Sequence, residues 1–161
     1  MLISKELNAA INEEIGREFE ASHMYASIAS YADGLALIEL SKLMFKQSDE
    51  EREHGMKFIK YVLDAGGRVE IPAVPAPQSA FKSVEEAITL ALDWELKITG
   101  HINDLLTLAV AQKDYAAQEF LKWFATEQLE EVKSTDDLLK VVRYSGERNL
   151  IMIEAYLSHI K

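Results

Sequence analysis

The sequence has no cysteine and very little proline or glycine, and these shortages exclude several kinds of protein. Without cysteine the chain cannot form disulfides, iron–sulfur clusters, thiolate zinc sites or a cysteine nucleophile. No stretch approaches the roughly 18 apolar residues that a membrane span requires, and the N-terminus lacks a signal-peptide pattern. We therefore expect a cytoplasmic protein that does not associate with membranes.

Basic residues are also in the minority, and the formal net charge is −10. This sign disfavours nucleic acid as a partner because phosphates would be repelled. It favours cations, although an acidic surface also simply keeps a protein soluble. The length of 161 residues and the 48% hydrophobic content suit one globular domain over residues 1–161.

The few glycines and prolines divide the chain into helical segments. Apolar residues at helical spacing predict four long helices and a short fifth one. The predicted ranges are about 5–33, 37–65, 83–111, 115–144 and 148–160. Ser83 and Glu86 have the spacing of a capping box at the start of the third helix.

The segment 66–82 holds all three prolines, which are incompatible with a helix interior or a central strand. It is long enough to run along a bundle and to join the second and third helices in parallel. The other connections between long helices are short and join antiparallel neighbours. The sequence therefore predicts an all-α fold, a four-helix bundle over about 5–144 with a long crossover and a short C-terminal helix.

Each long helix carries an apolar stripe at helical spacing, and each stripe contains a glutamate near the midpoint of the helix. These residues are Glu18, Glu51, Glu95 and Glu131. Burying an isolated carboxylate is costly, and four would exceed a stability of about 5–15 kcal/mol. No lysine or arginine occupies the stripes at this level, which favours a bound metal over a salt-bridge network. A metal-free cluster kept protonated by raised pKa values is the alternative.

The pair Glu51-x-x-His54 places a carboxylate and an imidazole one turn apart on one helix face. Alone this motif is weak, but it is in register with glutamates of three other helices. Mostly oxygen ligands with one imidazole favour a di-iron or di-manganese site over zinc or calcium. Glu51 is the natural candidate to bridge the two metals.

Together these motifs resemble the ferroxidase centre of bacterial and archaeal non-haem ferritins. The matching residues are Glu18, Tyr25, Glu51-x-x-His54, Glu95 and Glu127-Gln128-x-x-Glu131. The segments His23-Met24-Tyr25-Ala26-Ser27 and Phe120-Leu121-x-Trp123-Phe124 also resemble that family. The resemblance covers nearly the whole chain and implies a ferritin-like bundle.

The resemblance also implies a role for each residue. Glu18 and His54 would bind the first iron, Glu51 would bridge, and Glu95 and Glu131 would bind the second. Gln128 would form a hydrogen bond near the dioxygen site, and Tyr25 would lie beside the centre as a possible electron donor. A third iron site would be formed by Glu50, Glu127 and Glu130.

Two related families fit less well. Bacterioferritins repeat Glu-x-x-His on the fourth helix, where this chain has Gln128-x-x-Glu131, and their haem-binding methionine corresponds to Arg52. We therefore expect no haem. Rubrerythrins add a cysteine-ligated iron domain, which this chain cannot form.

The resemblance implies oxidation of Fe(II) by dioxygen or hydrogen peroxide at a di-iron centre. The Fe(III) product would be stored as a mineral inside a hollow homo-oligomeric shell, which in this family has 24 subunits. Two alternatives remain. One is a di-iron oxidase that acts on an organic substrate, for which the sequence shows no obvious pocket. The other is a passive metal-binding bundle or interaction module.

Overall fold

The structure is a computed structural model that describes residues 2–160, and this range contains five α-helices and no β-strand. In chain order they are α1 (Lys5–Gly34), α2 (Ile38–Asp64), α3 (Val84–Ala111), α4 (Tyr115–Ser145) and α5 (Ile151–His159). The predicted all-α architecture is confirmed, and every helix end but one lies within one residue of its expected position. The exception is the start of α5, which lies three residues later. None of these helices is long and apolar enough to cross a membrane.

Three long helices begin at side-chain caps. Ser4, Ser83 and Asp114 each accept a hydrogen bond from the backbone N–H three residues later. This satisfies one of the N–H groups that a helix start leaves without a partner. The carboxylate of Glu86 accepts a hydrogen bond from the backbone N–H of Lys82. The expected capping box therefore forms, except that Glu86 binds the N–H of the residue before Ser83 instead of that of Ser83 itself.

Contacts at the helix ends determine the helix directions. The backbone N–H of Leu2 donates to the carbonyl of Ala65 at 2.8 Å, so the start of α1 lies against the end of α2. The hydroxyl of Ser4 donates to Oε1 of Gln112 at 2.7 Å, so it also lies against the end of α3. Because α1 is antiparallel to both, α2 and α3 are parallel to each other, as the crossover requires.

The crossover between α2 and α3 runs along the outside of α1. The side chain of Asn8 exchanges 2.8 Å hydrogen bonds with the backbone N–H and carbonyl of Arg68. Further along, the hydroxyl of Ser27 donates to the carbonyl of Gln78 at 2.6 Å. Asn8 and Ser27 are about 28 Å apart along the helix axis. The connector therefore follows most of the length of α1, and side chains of α1 hold it through hydrogen bonds to the connector backbone.

The apolar core consists of two clusters, one towards each end of the bundle. The first includes Met24, Ile88 and Leu139, and the second includes Ile11 and Phe58. The stripe glutamates belong to neither cluster. They lie between the two, at mid-depth, where each long helix presents a polar residue to the bundle interior.

The short helix α5 packs against α2 and α4. Both carboxylate oxygens of Glu154 accept hydrogen bonds from the start of α2, at 2.9 and 3.0 Å. This anion satisfies backbone N–H groups at a helix start that has no side-chain cap of its own. Ile153 and Leu157 are buried, whereas Ile151 and Met152 remain exposed. One apolar face of α5 is thus covered by the chain itself and the other is not.

Candidate metal centre

The four stripe glutamates are buried side by side at the centre of the bundle. Each comes from a different long helix, and none exposes more than 8% of its surface. The residues are Glu18 of α1, Glu51 of α2, Glu95 of α3 and Glu131 of α4. The structure therefore brings together the carboxylates that the sequence placed at one depth.

Their donor atoms form two groups that could each hold a metal ion. Glu18, Glu51 and His54 make up the first group, with one donor atom from each lying within 4.8 Å of the others. Glu51, Glu95 and Glu131 make up the second, within the same distance. Glu51 belongs to both groups, which is the arrangement that a bridging carboxylate between two adjacent metals requires.

His54 points its Nδ1 atom at the first group. This atom lies 3.2 Å from Oε2 of Glu51 and 3.8 Å from Oε2 of Glu18. Burial lowers the pKa of His54, but the hydrogen bonds and negative charges of Glu18 and Glu51 outweigh it and raise the pKa to about 10. The metal-free protein therefore holds an imidazolium among its carboxylates, and a metal must displace that proton to bind.

Burial also raises the pKa of the glutamates. It holds the pKa of Glu18 well above the usual range and raises that of Glu95 to about 8 and that of Glu131 to about 7. The negative charge of Glu51 adds to the increase in each case. The site thus favours any positive charge, which can be supplied by protons or by divalent cations.

Neighbouring polar groups hold the second group in place. Gln128 donates from Nε2 to Oε2 of Glu95 at 3.1 Å, and the hydroxyl of Tyr25 donates to Oε1 of the same carboxylate. Gln47 donates to Oε2 of Glu131 at 2.7 Å. Burial holds the pKa of Tyr25 well above its usual range, so this side chain stays a neutral phenol.

The residues expected to form a third iron site lie at the edge of the centre. Glu50 and Glu127 are half-buried and Glu130 is exposed. Oε1 of Glu50 lies 3.5 Å from the ammonium of Lys46. Within residues 2–160, these three carboxylates do not form a group of donor atoms like the two described above.

A further buried carboxylate, Glu14, was not singled out by the sequence reasoning. It is completely buried, and its Oε2 accepts a 2.9 Å hydrogen bond from Arg17 while its Oε1 has no partner among the described residues. Burial raises its pKa to about 7, although Arg17 opposes this. Glu14 lies four residues before Glu18 and so on the same helix face, a spacing that could have identified it.

Comparison with known proteins gives a consistent result. Residues 8–144 match the model of the ferritin-like domain. The chain is 35% identical to ferritin BfrB of Mycolicibacterium smegmatis over 97% of this chain and 86% of that protein. It is 36% identical to the bacterial non-heme ferritin of Staphylococcus haemolyticus, over 81% of this chain and 78% of that one.

The fold matches a solved structure equally well. An open-pore ferritin from the hyperthermophilic archaeon Archaeoglobus fulgidus superposes with a TM-score of 0.93 at 35% sequence identity, covering 98% of each chain. Sequence, fold and the buried carboxylate centre thus agree with the resemblance found in the motifs. The chain belongs to the ferritin family.

Proposed function

We propose that this protein is an iron-storage subunit that oxidises Fe(II) at the buried centre and retains the Fe(III) product. Glu18 and His54 bind the first Fe(II), and Glu95 and Glu131 bind the second. Glu51 bridges the two ions. Family membership and the candidate metal groups support iron binding and storage.

The observation that carries the proposal is the membership of Glu51 in both donor groups. A carboxylate with one oxygen available to each ion keeps two Fe(II) close enough to give up two electrons to one oxidant. The five ligands offer one imidazole and four carboxylates, a hard donor set suited to iron. The second position lacks a histidine, which suits an ion that must leave after oxidation.

The reaction balances with either oxidant. Each of two Fe(II) ions loses one electron, and dioxygen takes up both electrons and two protons to form hydrogen peroxide. When hydrogen peroxide is the oxidant, the same two electrons and two protons yield two water molecules. In both cases hydrolysis of the Fe(III) ions then releases protons and supplies the mineral.

Residues beside the ligands have supporting roles in this proposal. Gln128 and Tyr25 orient Glu95 through their hydrogen bonds, and Gln128 also presents an amide near the position of the oxidant. In this proposal Tyr25, beside the centre, is the candidate electron donor. A third iron site at the edge would draw on Glu50, Glu127 and Glu130, whose contact with solvent would let an ion move between the centre and the outside.

Storage requires an enclosed space, which one bundle cannot provide. We propose a hollow homo-oligomer of 24 subunits in the cytoplasm. Large apolar side chains remain exposed on α4 and α5, among them Leu129, Tyr144 and Ile151. Exposed apolar surface of this kind is typical of subunit interfaces. The net charge of −10 would favour accumulation of Fe(II) within such a shell.

One observation favours a second candidate, a di-iron oxidase with an organic substrate. A cavity of about 290 Å³ reaches Tyr25 and could admit a small molecule.

Oxygen-electrode measurements with Fe(II) and no organic substrate separate a ferroxidase, an oxidase of an organic substrate and a passive metal-binding bundle. A ferroxidase consumes dioxygen in proportion to added Fe(II). An oxidase shows little turnover until its substrate is present, and a passive binder consumes none above the protein-free rate.

Storage is tested separately by light scattering and by iron retained after desalting. The proposal predicts a particle many times the subunit mass that keeps far more iron than its sites can bind. A monomer or dimer that saturates at two or three ions per chain would contradict storage while leaving the oxidation chemistry intact.

A further inference from the structure

A cavity of about 290 Å³ lies between α2, α4 and α5, beside the second donor group. Its inner wall includes Tyr25 and Gln47, which donate hydrogen bonds to Glu95 and Glu131. Its outer wall includes the exposed Ile160. The cavity therefore connects the surroundings of the second donor group with the outside of the bundle near α5.

Most of the cavity wall is apolar. Leu43 and Met44 of α2, Leu138 of α4 and Leu157 of α5 form much of it. The polar lining side chains include Gln47, Ser134, Thr135 and Asp137. A divalent cation that moves along the apolar part of the wall would have to give up hydration without receiving oxygen ligands from it, which is costly. A neutral, apolar molecule would meet no such penalty. The lining thus discriminates against Fe(II) and in favour of dioxygen.

The charges at the cavity reinforce this discrimination. Among the lining residues that the structure describes, Asp137 is the single carboxylate. It is paired with the ammonium of Lys133, and its Oδ1 lies 3.8 Å from that of Lys140. Its charge is therefore balanced by cations and offers little attraction to Fe(II). Glu130 and Glu127, by contrast, lie about two and three turns before Asp137 on α4, outside the cavity lining.

We propose that this cavity is the route by which dioxygen reaches the second iron position, and that Fe(II) arrives elsewhere. The inference rests on the proposed ferroxidase function and adds to it a separate path for the oxidant. Gln47 lines the cavity and donates a hydrogen bond to Glu131, so it links the cavity wall to the second donor group. Molecules of the size of dioxygen can pass through apolar packing that excludes hydrated ions.

The test fills the cavity without touching a metal ligand. Leu43 is half-buried in its wall, so Leu43→Trp places an indole in this space. Val141→Trp is the matched control, because Val141 is also half-buried beside α5 but lines a different cavity. We expect Leu43→Trp to raise the apparent KM for dioxygen several-fold. Its anaerobic affinity for Co(II), used as a redox-inert probe, should be unchanged, and Val141→Trp should change neither value.

Several results would overturn the proposal. One is a folded, assembled Leu43→Trp protein with the dioxygen dependence of the wild type, and another is an equal change in Val141→Trp. A rise in KM that is the same for hydrogen peroxide as for dioxygen would contradict selection of the apolar oxidant. If the wild type did not oxidise Fe(II) at all, the proposed function would fail instead.

A second measurement keeps the proposal testable if Leu43→Trp does not fold. Xenon is an apolar probe that enters dry apolar cavities. Crystals of the wild-type protein pressurised with xenon should show it between Leu43, Leu138 and Leu157. Ordered water filling this space in place of xenon would contradict an apolar route.

Discussion

Gln47 on α2 donates a 2.7 Å hydrogen bond from Nε2 to Oε2 of Glu131 on α4. Burial raises the pKa of Glu131 to about 7, and this hydrogen bond opposes the increase. The bond stabilises the ionised carboxylate, the form that binds a metal, and orients it towards Glu51. A residue that is not itself a proposed ligand thus prepares the second position.

Replacing Gln47 by Leu should weaken metal binding at the second position while leaving the first intact. The side chains are similar in size, but leucine cannot donate to Glu131. Loss of a hydrogen-bonding partner of a ligand typically costs about 10–100-fold in metal affinity. Anaerobic titration with Co(II), followed by its visible absorption, should show one strong and one weakened site per chain.

Gln118→Leu is the matched control for this prediction. Gln118 lies on the same helix as Glu131 and donates to the carbonyl of Ala109 at 3.4 Å, away from the centre. The Gln118→Leu protein should bind two Co(II) ions per chain, as the wild type does. Unchanged binding in Gln47→Leu would show that the hydrogen bond contributes little to the second position.

Replacing Glu14 by Gln should stabilise the metal-free protein at pH 8. The pKa of Glu14 rises from its ordinary value of 4.5 to about 7 in the folded state, mainly through burial. The folded chain therefore loses stability as the pH rises from about 4.5 to 7, because the unfolded chain releases this proton first. Glutamine can still accept from Arg17 and removes this loss. The free energy of unfolding at pH 8 should therefore rise by at most about 3 kcal/mol.

Denaturant unfolding at pH 4 and pH 8 measures this effect. The difference in the free energy of unfolding between Glu14→Gln and the wild type should be small at pH 4, because Glu14 is then mostly protonated in both the folded and the unfolded chain. It should grow towards pH 8. Glu13→Gln removes the same charge from an exposed neighbour and should give no such trend. A pH-independent difference in Glu14→Gln would contradict a raised pKa for Glu14.

The purified protein should contain no stoichiometric haem. By the resemblance of the motifs, Arg52 corresponds to the bacterioferritin methionine that ligates haem, and a guanidinium cannot replace a thioether as an iron ligand. The absorbance spectrum of the protein should therefore lack a strong Soret band. A band corresponding to about one haem per subunit pair would show that another residue takes over this role.

The sequence was informative about the helices because glycine and proline are rare and the apolar spacing is regular. It was less informative about what ends each helix. The predicted first helix ended at residue 33, before Gly34, yet α1 includes Gly34 and the left-handed residue is Ala36, with φ of 60°. The start of α5 was placed too early because Gly146, with φ of 65°, opens a turn that extends to Asn149.

At the centre, the four glutamates were predictable because each stands at a core-facing position of an apolar stripe, where a carboxylate needs a positive partner. Glu14 was missed since Glu13 beside it and Arg17 after it suggest a solvated face. The hydrogen bond between Gln47 and Glu131 depends on how α2 and α4 approach each other. The spacing of residues along one helix does not give the distance between side chains of two different helices.

Oxidation at the buried centre is tested by the initial rate of Fe(II) oxidation in Glu51→Gln, measured by stopped-flow absorbance with two Fe(II) ions added per chain. Glutamine preserves the volume of Glu51 but removes the charge shared by both donor groups. Glu53→Gln is the control, since it removes a charge two residues away at an exposed position. We predict that Glu51→Gln loses the fast phase and that Glu53→Gln retains it. A wild-type rate in a correctly assembled Glu51→Gln protein would contradict oxidation at this centre.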